Sequence, residues 1–89
     1  MRGWHKVRDV EGFVKWQYAD TPYRVIADLD VSRGHWRALF TSVYPGESYQ
    51  IRGNCGGGSR GRMMAVAAAK NWMDDNAAGC PPPGDYAEC

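Results

Sequence analysis

The sequence predicts an α+β domain: a four- to five-stranded antiparallel meander sheet with one C-terminal helix packed on one face. Two observations carry this prediction. In the first half of the chain, apolar and polar side chains alternate along short segments separated by turn residues, which is typical of half-buried antiparallel strands. After a glycine-rich stretch, the apolar spacing lengthens to that of a helix, which indicates a change of secondary structure.

The alternating segments indicate the strands. In the clearest of them, Val14, Trp16 and Tyr18 point to one side and Lys15 and Gln17 to the other. The intervening loops are short enough for neighbours in sequence to pair directly, which favours a meander. The expected strands are Trp4–Arg8, Phe13–Ala19, Tyr23–Val31, His35–Tyr44 and Ser48–Arg52.

Turn residues separate these segments. Ser32-Arg33-Gly34 predicts a short hairpin with Gly34 at positive φ. Tyr44-Pro45-Gly46-Glu47 has Pro and Gly in the order that a type II turn requires. Further breaks are expected at Asp9 to Gly12 and at Asp20-Thr21-Pro22.

A helix is predicted over Arg62–Asn76, with Ser59 as its N-cap. This segment contains no Gly or Pro and ends on two aspartates, which are unfavourable at a helix C-terminus and mark its end. Its small alanines would let the helix backbone approach the sheet. The expected buried stripe is Ala65, Ala68, Ala69, Trp72 and Met73.

The 89 residues suffice for one small domain, predicted over residues 1–79, with a proline-rich tail over 80–89. No apolar run is long enough to span a membrane, and the N-terminus lacks the apolar region of a secretory signal. A cytoplasmic location is therefore expected. The net charge of +1 hides an asymmetry, because residues 1–62 hold ten basic and six acidic side chains and residues 63–89 hold one and four.

The glycine-rich stretch Gly53–Arg62 has two interpretations. Its backbone amides, with Ser59, Arg60 and Arg62, form a candidate anion contact at the start of the helix. The favoured interpretation is a flexible connector that lets the helix fold back over the sheet. No Walker motif closes the loop.

No catalytic or metal-binding constellation stands out, so a non-enzyme without cofactor or metal is predicted. Cys55, Cys80 and Cys89 form no Cys-x-x-Cys pair that would favour zinc. A Cys80–Cys89 disulfide would leave one thiol to link two chains, so the chain is expected to be a monomer or a weak or disulfide-linked homodimer. Asp28 and Asp30 share a strand face, where paired carboxylates are most often solvated charges.

The face of the sheet away from the helix, called the outer face below, is the main candidate site. It is expected to mix basic and apolar side chains, a composition found at protein interfaces and on single-stranded nucleic-acid platforms. The first strand is expected to add its own residues at one edge. The predicted partner-binding residues are Trp4, Lys6, Arg8, Lys15, Arg24, Arg37 and Leu39.

The pattern of strands and helix from Trp4 to Asn76 resembles, in general character, the small accessory proteins of phages and prophages, among them anti-CRISPR proteins. That resemblance implies an inhibitor without an active site that docks on a host protein or nucleoprotein complex. The alternative is a small nucleic-acid-binding protein that uses Lys6, Arg8, Arg60 and Arg62.

Overall fold

The computed structural model describes residues 3–19, 23–41 and 48–76. These ranges contain a five-stranded antiparallel sheet, with its strands in sequence order, and one helix. The predicted α+β meander is therefore confirmed. The elements are β1 (Trp4–Val10), β2 (Phe13–Tyr18), β3 (Arg24–Asp30), β4 (His35–Thr41), β5 (Ser48–Arg52) and α1 (Gly58–Asp75).

Helix α1 covers one face of the sheet, and the core lies between them. Trp16, Val25 and Phe40 are almost completely buried there. The helix contributes the small residues Gly61, Ala65 and Ala69, followed by Met73. Burying each large side chain contributes about 1.5–3 kcal/mol, so this one layer supplies most of the hydrophobic stabilisation. The predicted helical stripe is confirmed: Ala65, Ala69 and Met73 are buried, and Ala68 and Trp72 pack against the core.

Aromatic contacts fasten the C-terminal end of α1 to the sheet. The Trp72 ring lies 5.0 Å from the Phe40 ring and 6.2 Å from the Trp4 ring, measured between centroids. The indole Nε1 of Trp4 also donates a hydrogen bond to the backbone oxygen of Asn76 at 3.0 Å. The first strand and the end of the helix are thereby joined across the core.

Several boundaries differ from the prediction, and β1 continues to Val10, beyond its predicted end at Arg8. Helix α1 begins at Gly58, because the Gly61 amide bonds to the Gly57 carbonyl at 3.0 Å, so Ser59 lies inside the first turn and is not the N-cap. Strand β3 ends at Asp30, and Val31 is 87% exposed in the turn to β4. The predicted positive φ at Gly34 is confirmed, at +74°.

Several predictions concern residues outside the described ranges. They are the turns at residues 20–22 and 44–47, the domain boundary at residue 79 and the tail over residues 80–89. Among the described residues, no helix has the length and apolar character needed to cross a membrane.

Candidate functional site

Strand pairing defines which side chains share the outer face. Arg8 pairs with Lys15, Lys15 with Ile26, Ile26 with Leu39, and Leu39 with Gln50. Paired residues of adjacent antiparallel strands project to the same side, so these five form one row across the sheet. The row runs from two cations through two aliphatic side chains to an amide.

A second row lies beside the first, and its middle is ionic. Asp28 pairs with Arg37 across β3 and β4, and the Arg37 Nε lies 2.9 Å from an Asp28 carboxylate oxygen. Asp30 approaches the same guanidinium at 3.7 Å. The hydrogen bond to Asp28, reinforced by the charges of Asp28 and Asp30, raises the pKa of Arg37. The pKa of Asp30 is lowered, first by a hydrogen bond from Ser32 and then by nearby arginines.

These ion pairs decide the chemistry of Asp28 and Asp30. Each carboxylate lies beside an arginine, and Asp30 has a lowered pKa, which is the opposite of what a general acid at neutral pH requires. The arrangement matches the prediction that this pair consists of surface charges. At the β3–β4 end of the outer face, the negative charges of Asp28 and Asp30 are therefore offset by neighbouring arginines.

The other end of the outer face is cationic and contains a groove. A shallow, open depression of about 310 Å³ is lined by Arg8, Val10, Phe13 and Lys15. Among the described residues, no ion-pair partner is found for Arg8 or Lys15. Val10 is 44% exposed and Phe13 is half-buried, so apolar surface is open to solvent between the two cations.

The structure places most of the predicted partner-binding residues on the outer face. Arg8, Lys15, Arg24, Arg37 and Leu39 lie there, in register with one another across four strands. Phe13 and Val10 belong to the same face and were not among the predicted residues. Phe13 has the same parity as Lys15 and Gln17 along β2, so the alternation itself contains the signal for it.

The placement of Trp4 on the outer face is wrong. Its side chain is 5% exposed and lies in the core against Tyr18 and Trp72. Lys6 pairs with Trp16, a core residue, so it also projects to the side that α1 covers. The cause is a register shift between Lys6 and Arg8. This β-bulge reverses the alternation, so even-numbered residues of β1 face the core before it and the outer face after it.

Lys6 and Arg62 both contact the carboxylate of Asp9. The Lys6 Nζ lies 3.0 Å from one oxygen, and the Arg62 guanidinium lies 2.6 Å from the other. The hydrogen bond from Lys6, together with the charges of Lys6 and Arg62, lowers the pKa of Asp9. Arg62 also lies over the Trp36 ring, 6.0 Å from its centroid. Arg62, a predicted anion contact, is therefore engaged in holding α1 against β1.

The glycine-rich segment between β5 and α1 is fixed by backbone contacts. The Cys55 amide donates to the Trp36 carbonyl and the Trp36 amide donates to the Gly56 carbonyl, both at 2.8 Å. Gly56 and Gly58 have φ of +88° and +65°, which glycine adopts without strain. The interpretation as a flexible connector is therefore wrong here, because the segment continues the ladder beside β4 and turns tightly into α1. Ser59 and Arg60 remain exposed at the start of the helix.

Cys55 is part of the core. Its side chain is 5% exposed, and burial raises the pKa of its thiol, partly offset by the charge of Arg52. A raised pKa keeps the thiol protonated at neutral pH, which disfavours a nucleophilic role. Within residues 3–19, 23–41 and 48–76, no group of three or more His, Cys, Asp and Glu side chains is placed to hold a metal ion.

We expect Cys55 to resist thiol reagents in the folded chain. In a Cys80→Ser/Cys89→Ser variant, its labelling should be at least ~10-fold slower in buffer than in urea, equivalent to an opening free energy of about 1.4 kcal/mol. The measurement is the rate of reaction with a chromogenic disulfide at constant pH. Equal rates in buffer and urea would show that Cys55 is accessible and contradict its place in the core.

Comparison with protein-family models, with curated proteins and with solved structures found no match.

Proposed function

We propose that this chain is a non-enzymatic binding protein that docks on a partner protein through the outer face of its sheet. One observation carries the proposal: no described element covers this face, although apolar side chains lie in its middle. Ile26 and Leu39 are paired and half-buried there, next to the strand that bears Phe13. Apolar centres with arginine at their margin are typical of the energetically dominant part of protein interfaces.

The distribution of cations supports a protein partner over nucleic acid. The alternative function relies on Lys6, Arg8, Arg60 and Arg62 acting together. Lys6 and Arg62 share the carboxylate of Asp9, and Arg8 lies on the opposite face of the sheet. A nucleic-acid backbone needs several unneutralised cations along one path, and this set is divided between two faces.

The narrower proposal is an inhibitor encoded by a phage or another mobile element, acting in the host cytoplasm on a protein or nucleoprotein complex. It rests on the small size of the chain and on its pattern of one sheet and one helix. An open sheet face on a rigid domain suits such a role, because a preformed surface loses little conformational entropy on binding.

The experiment that tests the proposal compares two matched double variants of the full chain in affinity capture. Ile26→Thr/Leu39→Thr removes the apolar centre of the outer face and places β-branched threonine, which favours strands, at both positions. Met63→Gln/Met64→Gln replaces two exposed apolar side chains on the outward surface of α1. Each immobilised protein is incubated with lysate of the organism that carries the gene, with and without nuclease treatment, and captured proteins are quantified by mass spectrometry.

We expect the outer-face variant to lose the captured partner by at least ~10-fold and the helix variant to retain it, because truncating a central interface residue costs more than about 1 kcal/mol. Circular dichroism and thermal unfolding of each variant verify that both are folded. Equal capture by the two variants would overturn the assignment to the outer face. Capture that disappears on nuclease treatment would favour the nucleic-acid alternative.

A further inference from the structure

The groove at the β1–β2 end of the outer face combines two cations with two apolar side chains. Arg8 and Lys15 are directly paired across the two strands, and Val10 and Phe13 form the next pair. Paired residues on one face lie about 5 Å apart at Cβ, so two cations and two apolar side chains converge within one small area. The depression among them, about 310 Å³, is large enough to accept a bulky side chain.

Two of the carboxylates near the groove, Asp9 and Asp28, are already paired with other cations. Asp9 lies between Arg8 and Val10 in sequence. Its side chain projects to the opposite face of the sheet, where it binds Lys6 and Arg62. Asp28 of β3 pairs with Phe13 of β2, and its carboxylate forms an ion pair with Arg37 of β4. Glu11 is exposed in the turn that follows β1. The groove therefore retains the positive charge of Arg8 and Lys15.

The edge of β1 that pairs with no described strand is a poor site for an added strand. The register shift between Lys6 and Arg8 interrupts the regular spacing of its backbone hydrogen-bonding groups. Bulges and lysines on an edge strand are the usual means by which proteins prevent strand addition. A ligand at this end of the molecule is therefore expected to lie on the face of the sheet rather than to extend it.

From this geometry we infer that the groove binds a short acidic peptide segment of the partner, with a bulky apolar side chain inserted against Phe13. The carboxylates of the segment pair with Arg8 and Lys15, and its apolar residue covers the surface left open by Val10 and Phe13. This inference rests on the proposed function, since it names the chemistry of the partner at one end of the same face. Nucleic acid fits less well, because an extended phosphate chain needs several unneutralised cations along one path, whereas the groove offers two and Arg37 is already paired with Asp28 and Asp30.

The test measures fluorescence anisotropy of labelled probes added to the full chain. The probes are the peptide Glu-Asp-Leu-Phe-Asp-Glu, its counterpart Lys-Lys-Leu-Phe-Lys-Lys, and oligothymidylate. We expect saturable binding of the acidic peptide alone, weakening with added salt because exposed charges are screened. Arg8→Gln/Lys15→Gln should weaken this binding about tenfold, as expected for two surface ion pairs of up to ~1 kcal/mol each.

Two further variants separate the charges from the apolar contact. Arg52→Gln/Lys70→Gln removes two exposed cations, one from β5 and one from α1, and should leave the affinity unchanged. Phe13→Thr should weaken binding severalfold at both low and high salt, because burial of apolar surface is not screened. Equal loss of affinity in the control variant with two exposed cations removed and in Arg8→Gln/Lys15→Gln would show attraction to net charge only and would overturn the inference.

The remaining outcomes also decide the question. Binding of oligothymidylate in preference to the acidic peptide would overturn the inference in favour of nucleic acid. Failure of the acidic peptide to bind, while Ile26→Thr/Leu39→Thr still abolishes capture of a partner protein, would overturn the groove assignment and leave the proposed function standing. Loss of the inference and loss of the proposed function are therefore distinguishable.

Discussion

Gly61→Ala is expected to lower the free energy of unfolding by about 2 kcal/mol, within the range for inserting a methyl group into a packed core. Gly61 lies in the first turn of α1, against the Gly56 backbone that precedes the helix. A Cβ at this position would overlap the carbonyl oxygen of Gly56 and approach the Trp36 ring to 3.0 Å. The carbonyl belongs to backbone that is bonded to Trp36, so it cannot move aside without breaking the ladder.

The sign of this effect makes the test sharp. Inside an exposed helix, replacing Gly by Ala stabilises by up to ~1 kcal/mol, so propensity alone predicts the opposite result. Ala67→Gly, at an exposed position in the same helix, is the matched control and reports the propensity difference without a steric contact. Urea denaturation of both variants measures the two effects. An increase in the stability of Gly61→Ala would show that α1 does not approach Gly56 as closely as described.

This close approach explains why the sequence was misread at the glycine-rich segment. Glycine serves both in loose linkers and where two backbones meet, and composition alone does not distinguish these uses. The deciding fact is tertiary: Trp36 supplies both hydrogen-bonding groups to Cys55 and Gly56. Trp36 is far from the segment in sequence, so local patterns could not reveal this pairing.

The four later strands were predictable because each has one buried face. Alternation along β2 and β4 assigns Trp16 and Phe40 to the core and Lys15 and Leu39 to the outer face, and the register confirms these assignments. The prediction that Val31 belongs to β3 placed the end of the strand one residue too late. The parity of Val31 fits the core face, but the chain has already entered the turn after Asp30, whose carbonyl accepts hydrogen bonds from the Arg33 and Gly34 amides.

Strand β1 shows where alternation fails to assign side chains to the correct face of the sheet. Trp4, Lys6 and Arg8 are evenly spaced, so strict alternation assigns all three to one face. The bulge between Lys6 and Arg8 adds one residue and reverses parity, placing Trp4 in the core and Arg8 on the outer face. The same bulge separates the salt-bridged cation Lys6 from the groove cation Arg8. The sequence of β1 offers no signal for such an insertion, since every residue in this strand is compatible with either parity.

Trp4→Ala is expected to have the largest effect of any single substitution on the position of β1. Truncating a buried Trp costs about 3–5 kcal/mol, a large part of the stability of a domain of this size. Trp4 is 5% exposed, contacts the Tyr18 and Trp72 rings and bonds to the Asn76 carbonyl, so it joins β1 to both β2 and α1. Chemical denaturation measures the loss. Val7→Ala, at a 42% exposed position in the same strand, is the control and should change stability by less than about 0.5 kcal/mol.

The consequences of this substitution extend to the groove, because β1 supplies Arg8 and Val10 to it. Hydrogen exchange should show the amides of β1 losing protection before those of β3 and β4, which retain neighbours on both sides.

Trp4→Phe provides a milder comparison, since it keeps an aromatic ring in the core and loses the hydrogen bond to Asn76, worth about 1 kcal/mol, and part of the buried volume. The acidic peptide should bind Trp4→Phe normally and bind Trp4→Ala weakly even at temperatures where the sheet is intact. Undiminished binding by folded Trp4→Ala, with β1 unprotected, would mean that the peptide does not depend on Arg8 and Val10 being held in place.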